Sequence, residues 1–431
     1  MLLAELEKNQ NGGVPSDESD FYANRLLCLA LDIGEGLLKS GAEVHRVENT
    51  VERICRAYGA VHVEVFAITS LILASVRMSD NGYSMQQRRV YDSASHLSRL
   101  EDFNSISRKI CRDTPPLDEV DAMIKELKHR KPYPTPLLFL GSAMAASAFT
   151  LFFGGSWCDA ILALLLGLAV AGIARIRSTY VNQIAKLMLT SFTAGCLANL
   201  GVFVGVGANV DAVMIGTIML LIPGLAFGNA IRDLLCGDIL AGILKTVQSC
   251  LSAVLIAFGF MLAAILMESA GLTRIAVEMA PQTSVMLVAS IFGTAGFAMV
   301  FCGKLKYIPI VTLCGFFTTL IYLLASALSL PPFLCAFVAA AFATAFSETC
   351  ARVFRAPTIV FSIPGVIVIV PGSGLYYTMN ALLFGEGDWL NIFKNMLLIS
   401  AGIALGTVLV SILFNAVFGF IQHRKMSRIA K

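Results

Sequence analysis

From Pro136 to Gln422 the apolar residues fall into blocks of roughly 20, the length at which a helix crosses a bilayer, cut by short polar or Gly/Pro breaks. About ten spanning helices are predicted, near 137–154, 158–174, 187–206, 212–231, 246–267, 284–303, 307–328, 333–350, 358–383 and 396–421. Upstream the periodicity changes. In "FYANRLLCLALDIGEGLLKSGA" the apolar positions recur at helical spacing and stop near Gly41, and "EVHRVENTVERICRAYGA" repeats Val44, Val47, Val51 and Ile54 before Gly59. "VHVEVFAIT" and "SLILASVRMS" read as strands, followed by "YSMQQRRVYD" and more helix, so residues 20–135 predict an α/β unit.

Two of the runs break their own pattern. "MLLIPGLAFGNAIRDLLCGD", residues 219–238, carries Pro223-Gly224, then Asn229 and Arg232-Asp233; "VIVIVPGSGLYYTMNALLFGEGD", residues 366–388, carries Pro371-Gly372, then Asn380. They fall fourth and ninth in the count. That spacing predicts two halves of five spans, 136–283 and 284–423, the second entering the membrane from the opposite side as an inverted repeat.

Composition fixes the solvent. With 57% hydrophobic and 14% charged residues the chain is far from a soluble domain of its length and reads as an integral membrane protein. Charge is uneven: residues 1–135 hold 17 Lys/Arg and 20 Asp/Glu, the remainder 15 and 9. The opening 1–19 reads as an acidic disordered leader and 424–431 as a basic tail. On the ten-span count, one set of loop ends collects Arg175, Arg177, Lys186, Arg232, Lys245, Lys304, Lys306, Arg352 and Arg355, while the other holds only Arg274, with Lys394 close to one end, against Asp159, Asp211, Glu268, Glu278, Glu386 and Asp388. The positive-inside rule then puts both termini in the cytoplasm.

The breaks have a physical meaning. Proline removes a helical N–H and crowds the preceding turn, glycine tolerates unusual backbone angles, and the freed polar groups need partners that hydrocarbon does not supply. A matched pair of such breaks predicts a midplane binding site, with half-helix N-termini for a carboxylate and open carbonyls for an ammonium or proton carrier. Candidate substrate residues are Pro223, Gly224, Gly228, Asn229, Pro371, Gly372, Ser373, Gly374 and Asn380. Asp233 and Asp238, beyond the first break, are candidates for proton coupling or gating. Glu348 and Arg352, four apart on one helical face, predict an ion pair, and Glu348 joins the gating candidates. In the head, Glu43, Arg46 and Glu48 form either a polar site or a solvated helix face. Eleven cysteines without a CxxC pair and five histidines without ligand spacing predict no metal site.

Three stretches in order, "SGAEVHRVENTVERICRAYGA", "LIPGLAFGNAIRDLLCGDILAG" and "VPGSGLYYTMNALL", resemble the threonine/serine exporter family of bacteria, over about residues 25 to 418. The two halves also resemble a split pair associated with succinate export, here fused. The resemblance implies proton-driven export of small hydrophilic metabolites across the bacterial inner membrane and lends weight to Gly41, Glu43, Arg46, Glu48, Pro223, Gly224, Asn229, Asp233, Gly237, Asp238, Pro371 and Gly372. The expected partners are a small amino acid or carboxylate, protons and the lipid bilayer, with self-association left open and no nucleic acid or cofactor. Dicarboxylate export is the alternative substrate reading. A membrane-anchored enzyme or sensor acting through the head is the alternative of another class, and the head shows no nucleophile, metal or phosphate motif to favour an enzyme.

Overall fold

The computed structural model describes residues 17–429, apart from 92–94, 131, 177–182, 223–228, 231–232, 235–236, 273–280 and 386. Its contacts divide it into two units: residues up to 132 together with 236–242, and the rest.

The N-terminal unit is built on two helices and a three-stranded antiparallel sheet. Helix α1 (Asp17–Lys39) and α2 (Val44–Ala57) are followed by β1 (Ala60–Ile68), β2 (Leu71–Met78) and β3 (Tyr83–Arg89), in the order β1-β2-β3, then α3 (Leu97–Asp113) and α4 (Leu117–His129). The predicted α2 stripe faces inward, since Val44, Val47, Val51 and Ile54 are buried, each contributing roughly 1.5–3 kcal/mol of apolar burial. Ile72, Ala74, Val76 and Met78 alternate inward along β2. Gly41 and Gly59 end their helices at φ 90° and 88°, conformations that favour glycine. Helix α1 begins two residues before the end of the predicted leader: Glu18 places negative charge in its first turn, and Ser19 is buried against Gly82. The rest of that leader, residues 1–16, lies outside the described residues.

The second unit holds α5 (Thr135–Phe152), α6 (Trp157–Arg175), α7 (Gln183–Val204), α8 (Val210–Ile218), α9 (Ile239–Ser269), α10 (Thr283–Val300), α11 (Ile308–Ala327), α12 (Pro332–Phe354), α13 (Ile359–Val366), α14 (Gly372–Phe384) and α15 (Trp389–Ile429). Among the described residues eight helices are long and apolar enough to cross a bilayer, and α13 with α14, bent by 49°, makes a ninth when the pair is counted as one span. The predicted fourth run is no continuous helix: α8 ends at Ile218 and the chain turns through Leu221, while 229–230 and 233–234, described beyond it, are helical.

Packing fixes the directions of the helices. A Cβ on Gly141 of α5 would meet the Gly296 carbonyl of α10 at 2.8 Å, and one on Gly296 would meet the Gly141 carbonyl at 2.7 Å; Phe149 touches Gly293, so α5 and α10 run antiparallel. Gly259 of α9 faces the Met188 carbonyl and Phe192 amide of α7, while Gly195 faces Ala263, so α7 and α9 run parallel. Gly402 and Gly406 of α15 face the Phe333 and Phe337 carbonyls of α12 in the same sense. Two parallel neighbours require the chain to return between them, a return that α8 begins between α7 and α9 and that the bent α13–α14 pair makes between α12 and α15. Small residues permit these backbone approaches, a common packing solution where apolar side chains gain nothing by leaving lipid.

The ninth run contains two Pro-Gly pairs with different outcomes. Pro364-Gly365 stays inside α13, with Gly365 close against the Cys314 sulfur. At the second pair Val370 is extended (φ −66°, ψ 125°), as steric contact with a following proline favours. Pro371 (φ −78°, ψ 58°) is the centre of an inverse γ-turn closed by the Gly372 N–H on the Val370 carbonyl at 2.8 Å, and α14 starts from there.

Candidate functional site

The two interrupted runs meet. A Cβ on Gly372 would land 2.9 Å from Ile222 Cδ1 and closer still to the Met219 sulfur, so the start of α14 lies against the end of α8. One turn further along, the Tyr376 hydroxyl donates to Asp211 Oδ1 at 2.6 Å, near the other end of α8. Thus α8 and α14 lie antiparallel, with the residues just after α8 beside the break before α14.

Beside this contact is a cavity of about 870 Å³. Its wall takes Asn209, Asp211 and Ala212 from the start of α8, Val368 to Pro371 from the break, Ser373, Gly374 and Tyr377 from α14, and Thr319, Tyr322 and Asn395 from α11 and α15. Phe152 and Phe153, at the far end of α5, close one side. The cavity therefore lies at the helix ends opposite to the start of α5. Among the described lining residues Asp211 is the single charged side chain.

Asp211 is held in place from below. Asn209 caps α8 by accepting the Ala212 N–H at 3.0 Å. The loop before it is tied to α6: fully buried Asp159 accepts the N–H groups of Ala208 and Asn209 at 2.6 and 3.0 Å as well as the Ser156 N–H and hydroxyl at 2.8 and 2.7 Å. Four donors satisfy a carboxylate that would otherwise be costly to bury.

The predicted residues separate on this geometry. Pro371, Ser373 and Gly374 line the cavity, and Gly372 makes the contact between the breaks. Asn380 sits two turns further along α14 and Asn229 in a helical piece beyond the first break; both are half-buried and neither lines the cavity. Pro223, Gly224 and Gly228 lie outside the described residues, as does Arg232. Asp233 is buried at 2% exposure in an ion pair with Lys245 of α9 at 2.6 Å. Asp238 precedes α9 in the segment that packs with the N-terminal unit. Glu348 pairs with Arg352 at 2.5 Å as the spacing predicts, and the Arg352 guanidinium also lies 4.1 Å from the Phe418 ring centre.

The head cluster does not converge. Arg46 and Glu43 form a half-exposed pair at 3.6 Å, while Glu48 turns inward to accept the Ala67 N–H at 2.7 Å near the end of β1. Burial pushes the Glu48 carboxyl above its usual 4.5, with the negative charge of Asp238 adding to the effect and the Ala67 hydrogen bond opposing it. Asp211, Tyr376 and Lys245 were not singled out as site residues by pattern. The contact between Asp211 and Tyr376 joins residues 165 apart in the chain, which no local spacing reveals.

Residues 28–267 match the family described as "Putative threonine/serine exporter", more than half of the chain, and residues 286–413 match "Threonine/Serine exporter, ThrE". The chain belongs to the threonine/serine exporter family. Asp211 falls in the first matched region and Tyr376 in the second, so their hydrogen bond joins the two. Among curated relatives, the "Threonine/serine exporter" of Corynebacterium glutamicum is 22% identical over 372 residues, 82% of this chain and 75% of its own length. The "Probable threonine/serine exporter" of Mycobacterium tuberculosis (strain ATCC 25618 / H37Rv) is also 22% identical, over 241 residues that make up 54% of this chain and 44% of the relative. This chain therefore matches less than half of the length of that relative. No solved structure matches the chain.

Proposed function

We propose that the chain is a secondary active exporter of small hydrophilic amino acids, threonine or serine, which binds its substrate in the cavity beside the paired breaks. The observation that carries this reading is the meeting of the two interrupted runs at Gly372, Met219 and Ile222. Irregular backbone inside a bilayer is tolerated where protein or a water-filled cavity covers it, and here a cavity does. The first turn of α14 supplies N–H groups and a partial positive charge for a carboxylate. Proton coupling, an inner-membrane setting with both termini cytoplasmic, and relation of the two halves as an inverted repeat belong to the same proposal. The reciprocal Gly141 and Gly296 contact supports the repeat, as does the recurrence of one glycine-on-carbonyl contact between α7 and α9 and between α12 and α15.

Counterflow tests it. Purified protein in liposomes loaded with unlabelled serine, threonine, alanine or succinate is given the matching radiolabel outside. Transient accumulation with threonine or serine is the expected result. Accumulation with succinate alone would replace the substrate class, and none with any of the four would remove the exporter reading.

A further inference from the structure

We propose that Asp211 is the subsite for the ammonium group of the transported amino acid, and that the Tyr376 hydroxyl positions its carboxylate. This rests on the exporter reading and specifies its chemistry.

The cavity presents one carboxylate and, among its described lining residues, no basic side chain. A carboxylate in a largely apolar wall is costly unless a cation or several donors compensate it. Asp159, nearby, is compensated by four protein donors. Asp211 instead faces the cavity, with Tyr376 donating to one of its oxygens. An ionised carboxylate has about four acceptor positions, so capacity remains for a ligand bearing several N–H donors. A primary ammonium meets that need with three donors and a full positive charge.

The position of Asp211 also suits a ligand of two opposite poles. Gly372 and Tyr376 are separated by about 6 Å along α14, so the N–H groups that open this helix and the carboxylate held by Tyr376 share one wall. A dicarboxylate placed on the same wall would set like charges against each other, which discriminates by repulsion as well as by lost attraction. Because Asp211 is on α8 and Tyr376 on α14, a ligand bound there touches both interrupted runs. Tyr376, only 9% exposed, acts through Asp211 as a positioning residue.

The test compares wild type with Asp211→Asn, Asp211→Glu and Tyr376→Phe in liposomes. Labelled threonine exchange is measured against competition by 2,3-dihydroxybutyrate, which replaces the ammonium by a hydroxyl. For Asp211→Asn the threonine KM is expected to rise about tenfold or more, with the preference for threonine over the dihydroxy acid falling by a similar factor, because a charged hydrogen bond is lost. Asp211→Glu recovers part of the preference, and Tyr376→Phe raises KM by a smaller factor. Asp211→Asn exchange within twofold of wild type, or equal loss for both compounds in monodisperse protein, overturns the subsite. If Asp211→Asn does not fold, an unchanged preference in Tyr376→Phe overturns it instead. Failure of wild type to exchange any amino acid is a different result, and takes the exporter reading down together with the subsite.

Discussion

The Lys245 ammonium lies 2.6 Å from the Asp233 carboxylate, with Asp233 only 2% exposed and Lys245 13%. Such a pair is held by mutual compensation: removing one member strands the other, and typically costs about 3–5 kcal/mol, whereas removing both is far milder. Asp233→Asn and Lys245→Met are each expected to lower the melting temperature in detergent sharply, and the double variant to recover more than half of the loss. If the single variants melt like wild type, the pair has no structural role and Asp233 returns to the list of proton carriers.

Replacing Pro371-Gly372 by Ala-Ala restores a backbone N–H and removes the γ-turn, which favours one continuous helix across the break. Insertion and monodispersity are expected to survive while threonine counterflow disappears. Retained counterflow would show that transport does not need the interruption.

Gly259 and Gly402 occupy matching contacts, each against a carbonyl and the amide four residues on. A valine at either site should cost about 1–3 kcal/mol through overpacking, by similar amounts in the two halves. Gly172→Ala is the control, since its Cβ would meet only Phe139 Cε1 at 4.0 Å. Equal melting of all three variants would remove the close approaches.

Glu48 makes the stability of the head depend on pH. Its carboxyl is raised above 4.5 in the folded protein, chiefly by burial, so the folded state binds the proton more tightly than the unfolded one. The stabilising contribution is then complete below about 4.5 and is lost as pH rises through the folded value. Glu48→Gln keeps an acceptor for the Ala67 N–H and should flatten this dependence, read as hydrogen exchange of residues 60–78 corrected for its intrinsic pH effect. An unchanged slope would assign the dependence to other groups.

The local features were legible where local chemistry decides them. The α2 stripe of Val44, Val47, Val51 and Ile54 follows from helical spacing, the second strand from alternation, and the bend at Pro371-Gly372 from the missing N–H and a flexible neighbour. The two Pro-Gly pairs of the ninth run mark the limit of that logic. Pro364-Gly365 has the same composition as the pair that breaks the helix, yet packing of Gly365 on Cys314 leaves α13 intact. Asp211 looked like one more loop acid and Lys245 one more loop cation, because their partners come from distant turns of the chain. Asn380 was chosen for its distance from a break, but helical rotation decides which residues face a cavity, and the cavity is lined by Tyr377 instead.

At the crossing of Gly141 and Gly296 backbone rests on backbone, each glycine on the carbonyl of the other. Interleaved side chains must disengage before two helices can turn against each other, and here the side-chain atoms at the contact are only the Cβ atoms of Met299 and Ala145. Such a crossing offers a pivot: if α5 and α10 turn against each other during transport, the repacking falls to the periphery. On that basis the separation of α5 and α10 at this point should stay constant through a transport cycle while that of Asp211 and Tyr376 changes, as spin labels flanking each contact would report. A cycle that separates the two glycines would place the pivot elsewhere.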